Sequence, residues 1–212
     1  ETGGIWSITN IEDPTSEWSK VSDFWDNLVI TCVASDPTDA NIIYVGTGER
    51  RGQGLRGQGV WKTSDGGANW SQLPSSIDLN YSDTIIVRNE NGIGAVYAGG
   101  GRAFSNGAYS GVNGLQKSTD GGSTWTEVLG EISAGSNHHV TDLELDSNNR
   151  LIVGTRTNTF NEGGGQVFYS DDGSTFTQFN LGALGSFDRT FVDVSPSDPN
   201  ILYVMMENGN TG

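Results

Sequence analysis

Six of the eight arginines in this chain, Arg50, Arg51, Arg56, Arg102, Arg156 and Arg189, fall in segments that read as loops. A guanidinium presents a planar fork of donors that matches carboxylate, sulfate or phosphate oxygens. The set therefore fits recognition of an acidic ligand. The plainer alternative is solvated arginine, or local pairing with acids such as Glu49, which contributes little at a surface. Aromatic and titratable residues occupy similar segments: Trp25 with Asp26, Tyr81 with Asp83, His138 with His139, Phe187 with Asp188. An exposed Trp beside carboxylates can stack on a sugar ring, and the alternative for Trp25 is a cap over buried strands. Two adjacent histidines need further ligands to hold a metal, and the pattern supplies none, so no metal and no cofactor is expected.

The residues that must position these groups recur at a fixed period. Thr63-Ser64-Asp65-Gly66-Gly67-Ala68-Asn69-Trp70 returns as Ser118-Thr119-Asp120-Gly121-Gly122-Ser123-Thr124-Trp125. Weaker copies are Ser170-Asp171-Asp172-Gly173-Ser174-Thr175-Phe176, with Asp171 in the Asp place, and Asp13 with Trp18. The spacing of Asp13, Asp65, Asp120 and Asp171 is that of a repeat architecture. Each copy reads as a hairpin turn. The Asp closes it on backbone N–H groups, Gly67, Gly122 and Gly173 supply positive φ, and Trp70, Trp125 or Phe176 packs inward.

Between these turns lie short β-branched runs, four per repeat, such as 28–34, 42–47, 59–62 and 70–73. Four strands in about 40–50 residues make a propeller blade. The expected fold is all-β, a β-propeller of four-stranded antiparallel blades. Residues 28–79, 80–130 and 131–183 form full blades, 1–27 the end of one, and 184–212 the start of another. Two closures are open: the terminal half blades pair into a four-bladed ring, or the chain belongs to a larger propeller. The second is favoured, because stacked repeats need both neighbours.

Composition narrows the partners. The chain has 212 residues, 31 of them Gly, and 26 acidic against 11 basic side chains give a net charge of −15. Nucleic acid and anionic membrane surfaces are poor partners for such a chain. No apolar run is long enough to span a bilayer as a helix. Cys32 is alone, so no internal disulfide forms. Gly52-Gln53-Gly54-Leu55-Arg56-Gly57 has dinucleotide-binding spacing but leads into a strand, so that reading fails.

Strand alternation sorts the connections onto two faces. The Asp turns and the Asp36-Pro37 turn share one face. The long segments 48–58, 99–113 and 155–165 and the inter-blade links share the other, where binding on a rigid scaffold is usual. Candidate ligand-binding residues are therefore Trp25, Asp26, Arg50, Arg51, Tyr81, Arg102, His138, Arg156 and Arg189.

The repeated turn, together with Ser35-Asp36-Pro37-Thr38-Asp39-Ala40-Asn41-Ile42-Ile43-Tyr44-Val45-Gly46-Thr47, resembles the Asp-box, or BNR, propellers of the sortilin-like and family 74 glycoside hydrolase group. The resemblance implies a secreted or cell-surface propeller with structural boxes, a polysaccharide or protein ligand, and further blades or domains in the same polypeptide. In family 74 a catalytic Asp opens a T-D-x-G-G motif. Glu1-Thr2-Gly3-Gly4-Ile5-Trp6 is similar, with Glu1 in the Asp place. The second carboxylate that glycoside hydrolysis needs comes, in that family, from a second propeller. A non-catalytic binding module is therefore favoured, and the alternative is one half of an endo-β-glucanase or xyloglucanase.

Overall fold

The computed structural model describes residues 4–21, 25, 29–49, 55–105, 107–181 and 187–207. Strands β1 (Ile30–Asp36), β2 (Asp39–Thr47), β3 (Val60–Thr63) and β4 (Ser71–Gln72) form one sheet in that order. The next sheet repeats it with β5 (Ser82–Glu90), β6 (Ile93–Gly100), β7 (Gly114–Ser118) and β8 (Thr126–Glu127). The third has β9 (His139–Leu145), β10 (Leu151–Arg156), β11 (Val167–Ser170) and β12 (Thr177–Gln178). Strands β13 (Arg189–Val194) and β14 (Leu202–Glu207) pair with each other, and a single Arg156–Arg189 pairing ties them to β10. All pairings are antiparallel, and the only helical element among the described residues is the 3-10 turn Pro74–Ser76. The chain is an all-β arc of propeller blades.

The blades stack through alternate strand positions, since successive side chains point to opposite faces. Val96 and Ala98 of β6 face backward onto Tyr44 and Val60 of the first sheet. Ala95 and Tyr97 of the same strand face forward, with Leu115, onto Val140, Leu143, Leu151 and Val153. Ile152 and Val167 then meet Val192, with Leu202 and Val204 alongside. Two glycines show how close the blades come. A Cβ on Gly46 would lie 2.4 Å from Cys32 Sγ and 2.9 Å from Ser82 Cβ, and one on Gly99 would lie 2.4 Å from Val140 Cγ1. Each stands two residues after a buried tyrosine, Tyr44 or Tyr97, and admits the next inner strand.

Those tyrosines belong to a repeated link between blades. Lys62 Nζ lies over the Tyr44 ring and donates to the Gly121 carbonyl of the next blade's turn, 3.2 Å away. Lys117 lies over Tyr97 and donates to the Gly173 carbonyl at the same distance, joined by the Tyr97 hydroxyl at 3.0 Å. Ile152 and Tyr169 occupy the two places in the third blade, so its link to β13 and β14 has no cation there.

The first two Asp turns are alike. The Gly67 and Gly122 N–H groups donate to Thr63 Oγ1 and Ser118 Oγ, and the Asn69 and Thr124 N–H groups donate to Asp65 and Asp120. The third differs from expectation. Asp172, not Asp171, accepts from the Ser174 and Thr175 N–H groups and from Ser170 Oγ, whereas Asp171 pairs with exposed Arg150 at 2.6 Å. This turn is one residue shorter, so Gly173, with φ of 71°, corresponds to Gly66 and Gly121 and not to Gly67 and Gly122. Two adjacent aspartates concealed the deletion. At the N-terminal ribbon, Trp6–Ser7 with Ser19–Lys20, the Asp13 carboxylate accepts from the Thr15 N–H and hydroxyl, its carbonyl accepts from the Ser16 N–H, and Trp18 stands exposed instead of packing inward. Asp172→Ala should lower the melting temperature clearly, and Asp171→Ala should leave it nearly unchanged. Equal effects in a thermal melt would overturn this register.

These turns also carry a pH dependence. Backbone N–H groups, of Asn69 and of Thr124, hold Asp65 and Asp120 at about 2. A depressed folded-state value stabilises above the unfolded value of about 4 and is lost as pH falls toward 2. Burial of neutral His138 acts earlier: its folded value is lowered from 6.5 to about 4, so acid first costs stability across that window, and the turns loosen below it.

Candidate functional site

The long-segment rim carries one constructed cluster. Ala103–Ser105 and Ala108–Ser110 form a two-stranded ribbon between β6 and β7, and its register puts Phe104 directly opposite Tyr109. Directly opposed residues share a face, and aromatic pairs there stabilise the ribbon. Their rings meet edge to face at 5.2 Å. Arg102, just before the ribbon, places its guanidinium 6.0 Å from the Tyr109 ring and 5.9 Å from the Phe160 ring of the next blade. Phe104, Tyr109 and Phe160 are 52%, 54% and 53% exposed.

Buried asparagines hold this cluster from beneath. Asn113 Oδ1 accepts from the Arg102 N–H at 2.8 Å. Asn158 Oδ1 accepts from the Phe160 and Glu162 N–H groups at 2.8 and 3.1 Å. Its Nδ2 donates to Ser136 Oγ and to the Asn137 carbonyl, and Asn137 Nδ2 reaches the Asn113 carbonyl at 3.4 Å. Asn113 and Asn158 are both buried. The loops of two blades thus form one polar platform from which three rings and a cation project.

The other expected ligand residues have different roles. Tyr81 is 1% exposed and offers a ligand nothing. His138 is buried edge-on to Phe168, and burial holds its imidazole near 4, so it stays neutral at physiological pH. Trp25 is not a free platform: it stacks on Trp61 at 4.3 Å and meets Trp70 edge-on at 5.5 Å. Arg156 Nη2 reaches Asp188 Oδ2 at 3.3 Å, and Arg189 lies 4.0 Å over Phe191. Glu1, Asp26, Arg50 and Arg51 fall outside the described residues. Only Arg102 of the described candidates stands with exposed aromatic neighbours. A position within a loop does not reveal which neighbouring blade covers it, and that is why Tyr81, His138 and Trp25 misled.

Three aromatic members of the cluster were missed. Ser105-Asn106-Gly107-Ala108 carries Asn-Gly between short β-prone runs, the strongest local hairpin signal, and it identifies Phe104 and Tyr109 as a cross-strand pair. Phe160 gave no such signal, since its place depends on the fold of Asn158.

A second feature lines the inner strands. The first strands β1, β5 and β9 share a bulge, at Thr31, Asp83 and Thr141. Thr31 Oγ1 donates to the Ser82 carbonyl and Thr141 Oγ1 to the Thr190 carbonyl, each in the next blade. At the middle bulge Asp83 meets His139 Nε2 at 2.6 Å instead. His139 is wholly buried and Asp83 is partly exposed, so this contact links neighbouring blades. No described group of His, Cys, Asp and Glu could hold a metal ion. No described helix is long and apolar enough to cross a membrane.

No protein-family model matches the chain, and no curated protein does. Solved structures do. The GH74 enzyme of Niastella koreensis is 25% identical with a TM-score of 0.60 over 84% of this chain and 25% of its own. An ancestral GH74 enzyme is 19% identical with a TM-score of 0.61, covering 91% of this chain and 25% of its own. The extracellular domain of a B. thetaiotaomicron protein described as a one-component system is 13% identical, with a TM-score of 0.52 over 95% of this chain and 23% of its own. The chain thus spans about a quarter of the length of these relatives, whose likeness establishes a propeller-type fold shared with glycoside hydrolases and an extracellular domain.

Proposed function

We propose that this chain is part of an Asp-box propeller of the sortilin-like and family 74-like group, secreted or displayed at the cell surface. It binds a glycan without cleaving it, on the rim opposite the Asp turns. The carrying observation is the cluster of Arg102, Phe104, Tyr109 and Phe160, whose rings are about half exposed and in which buried asparagines hold the Arg102 and Phe160 backbones. Polar groups converging among aromatic rings are the usual form of a ligand site. Residues 28–79, 80–130 and 131–183 are its blades, and further blades of the same polypeptide complete it. Supporting the last point, Tyr203 and Met205 are 64% and 63% exposed, although Tyr44 and Tyr97 at the matching place are buried against a following blade.

The GH74 likeness favours a second reading, in which Glu1 and a carboxylate beyond this chain form a hydrolase. The full-length protein decides between them. Retardation in a polysaccharide-containing native gel, with no new reducing ends, is the expected result. Reducing-sugar release from β-glucan that disappears in Glu1→Gln would establish the hydrolase instead.

A further inference from the structure

Resting on the rim reading, we infer that Arg102 recognises a carboxylate on the bound sugar, so that the rim selects a glycan carrying uronic-acid units over a neutral one. The first observation is a missing partner. Acids outnumber bases 26 to 11, and three other arginines have an acid in reach: Arg88 with Glu90, Arg150 with Asp171, Arg156 with Asp188. Arg102, among the described residues, has none. Its guanidinium faces only the Tyr109 and Phe160 rings. A cation kept apart from carboxylates in so acidic a protein is open to a carboxylate from outside.

The second observation is preorganisation. The Arg102 backbone is held by buried Asn113, and the Phe160 backbone by buried Asn158. The backbones that carry the cation and the Phe160 ring are therefore in place before a ligand arrives, which lowers the ordering cost of binding. The third is the pairing of chemistries. An aromatic face takes the C–H face of a pyranose, and a guanidinium takes a planar carboxylate through two parallel hydrogen bonds. A uronic acid presents both on one ring. Net charge limits the density of acid: at −15 the protein repels a polyanion, while screening over roughly 8 Å leaves a single local pair intact. Sparse carboxylates along an otherwise neutral glycan fit best.

The test compares a xylo-oligosaccharide bearing one glucuronic acid with its carboxyl-reduced analogue, by calorimetry on the full-length protein. The acidic form should bind about tenfold tighter or better, since hydrogen bonds to charged groups are the stronger ones. Added salt should erode that preference. Arg102→Gln should bring both sugars to one weak affinity with an unchanged melting temperature. Arg102→Lys, which keeps the charge and loses the fork, should recover part of the preference. Equal binding of the two sugars by the unaltered protein, or a preference that survives Arg102→Gln, overturns the inference and leaves the rim reading standing. Binding of neither sugar overturns both, as does equal binding of a glutamate-containing peptide that competes for the site.

Discussion

Replacing Arg88 with alanine should destabilise the protein by about 3 kcal/mol, within the range for breaking a buried ion pair. Arg88 is only 5% exposed, in the middle blade's inner strand. Its Nη1 meets Glu90 at 3.0 Å, its Nε donates to the Asn149 carbonyl at 2.8 Å, and its Nη2 donates to the Asp171 carbonyl. One side chain therefore binds both connections on the turn face of the third blade. Glu90 retains Lys117 at 2.8 Å, so the loss falls on the two carbonyls, which are left without a donor. In a domain of this size the melting temperature should fall by roughly 6–12 °C. Arg88→Lys should recover the ion pair and not the second carbonyl. Arg150→Ala is the control: its pair with Asp171 is exposed and should contribute less than about 1 kcal/mol. Equal melting points for Arg88→Ala and Arg150→Ala would contradict this account of how the blades are joined.

Removing the Tyr109 and Phe160 rings together should weaken glycan binding by about 100-fold or more, since each aromatic anchor typically contributes about 2 kcal/mol when truncated, with incomplete additivity. Stability should hardly change, because both rings are about half exposed and neither belongs to the packed clusters between blades. Calorimetry and a thermal melt on the same double variant separate the two effects. A large fall in melting temperature with affinity retained would move these rings from ligand to scaffold.

The architecture was legible because its signals repeat. Asp65 and Asp120 mark the turns, Tyr44 and Tyr97 the second strands, and alternation assigns each connection to a face. The third turn was legible only in outline: its missing residue is ambiguous beside the pair Asp171 and Asp172, and hydrogen bonding decides it. Burial of single loop residues was harder to read. Tyr81, His138 and Trp25 have the side chains of a binding site, yet each is covered by a segment distant in sequence. Arg102 reads from the sequence as a loop residue, but its aromatic surroundings depend on a hairpin register and on an asparagine of the next blade.

The most direct test of the rim assignment is amide hydrogen exchange of the full-length protein with and without the bound oligosaccharide. Protection should appear in residues 102–110 and 157–162 and be absent from the turns at 65–70, 120–125 and 172–176. Protection on those turns, with the rim unchanged, would contradict the assignment of binding to the face opposite them.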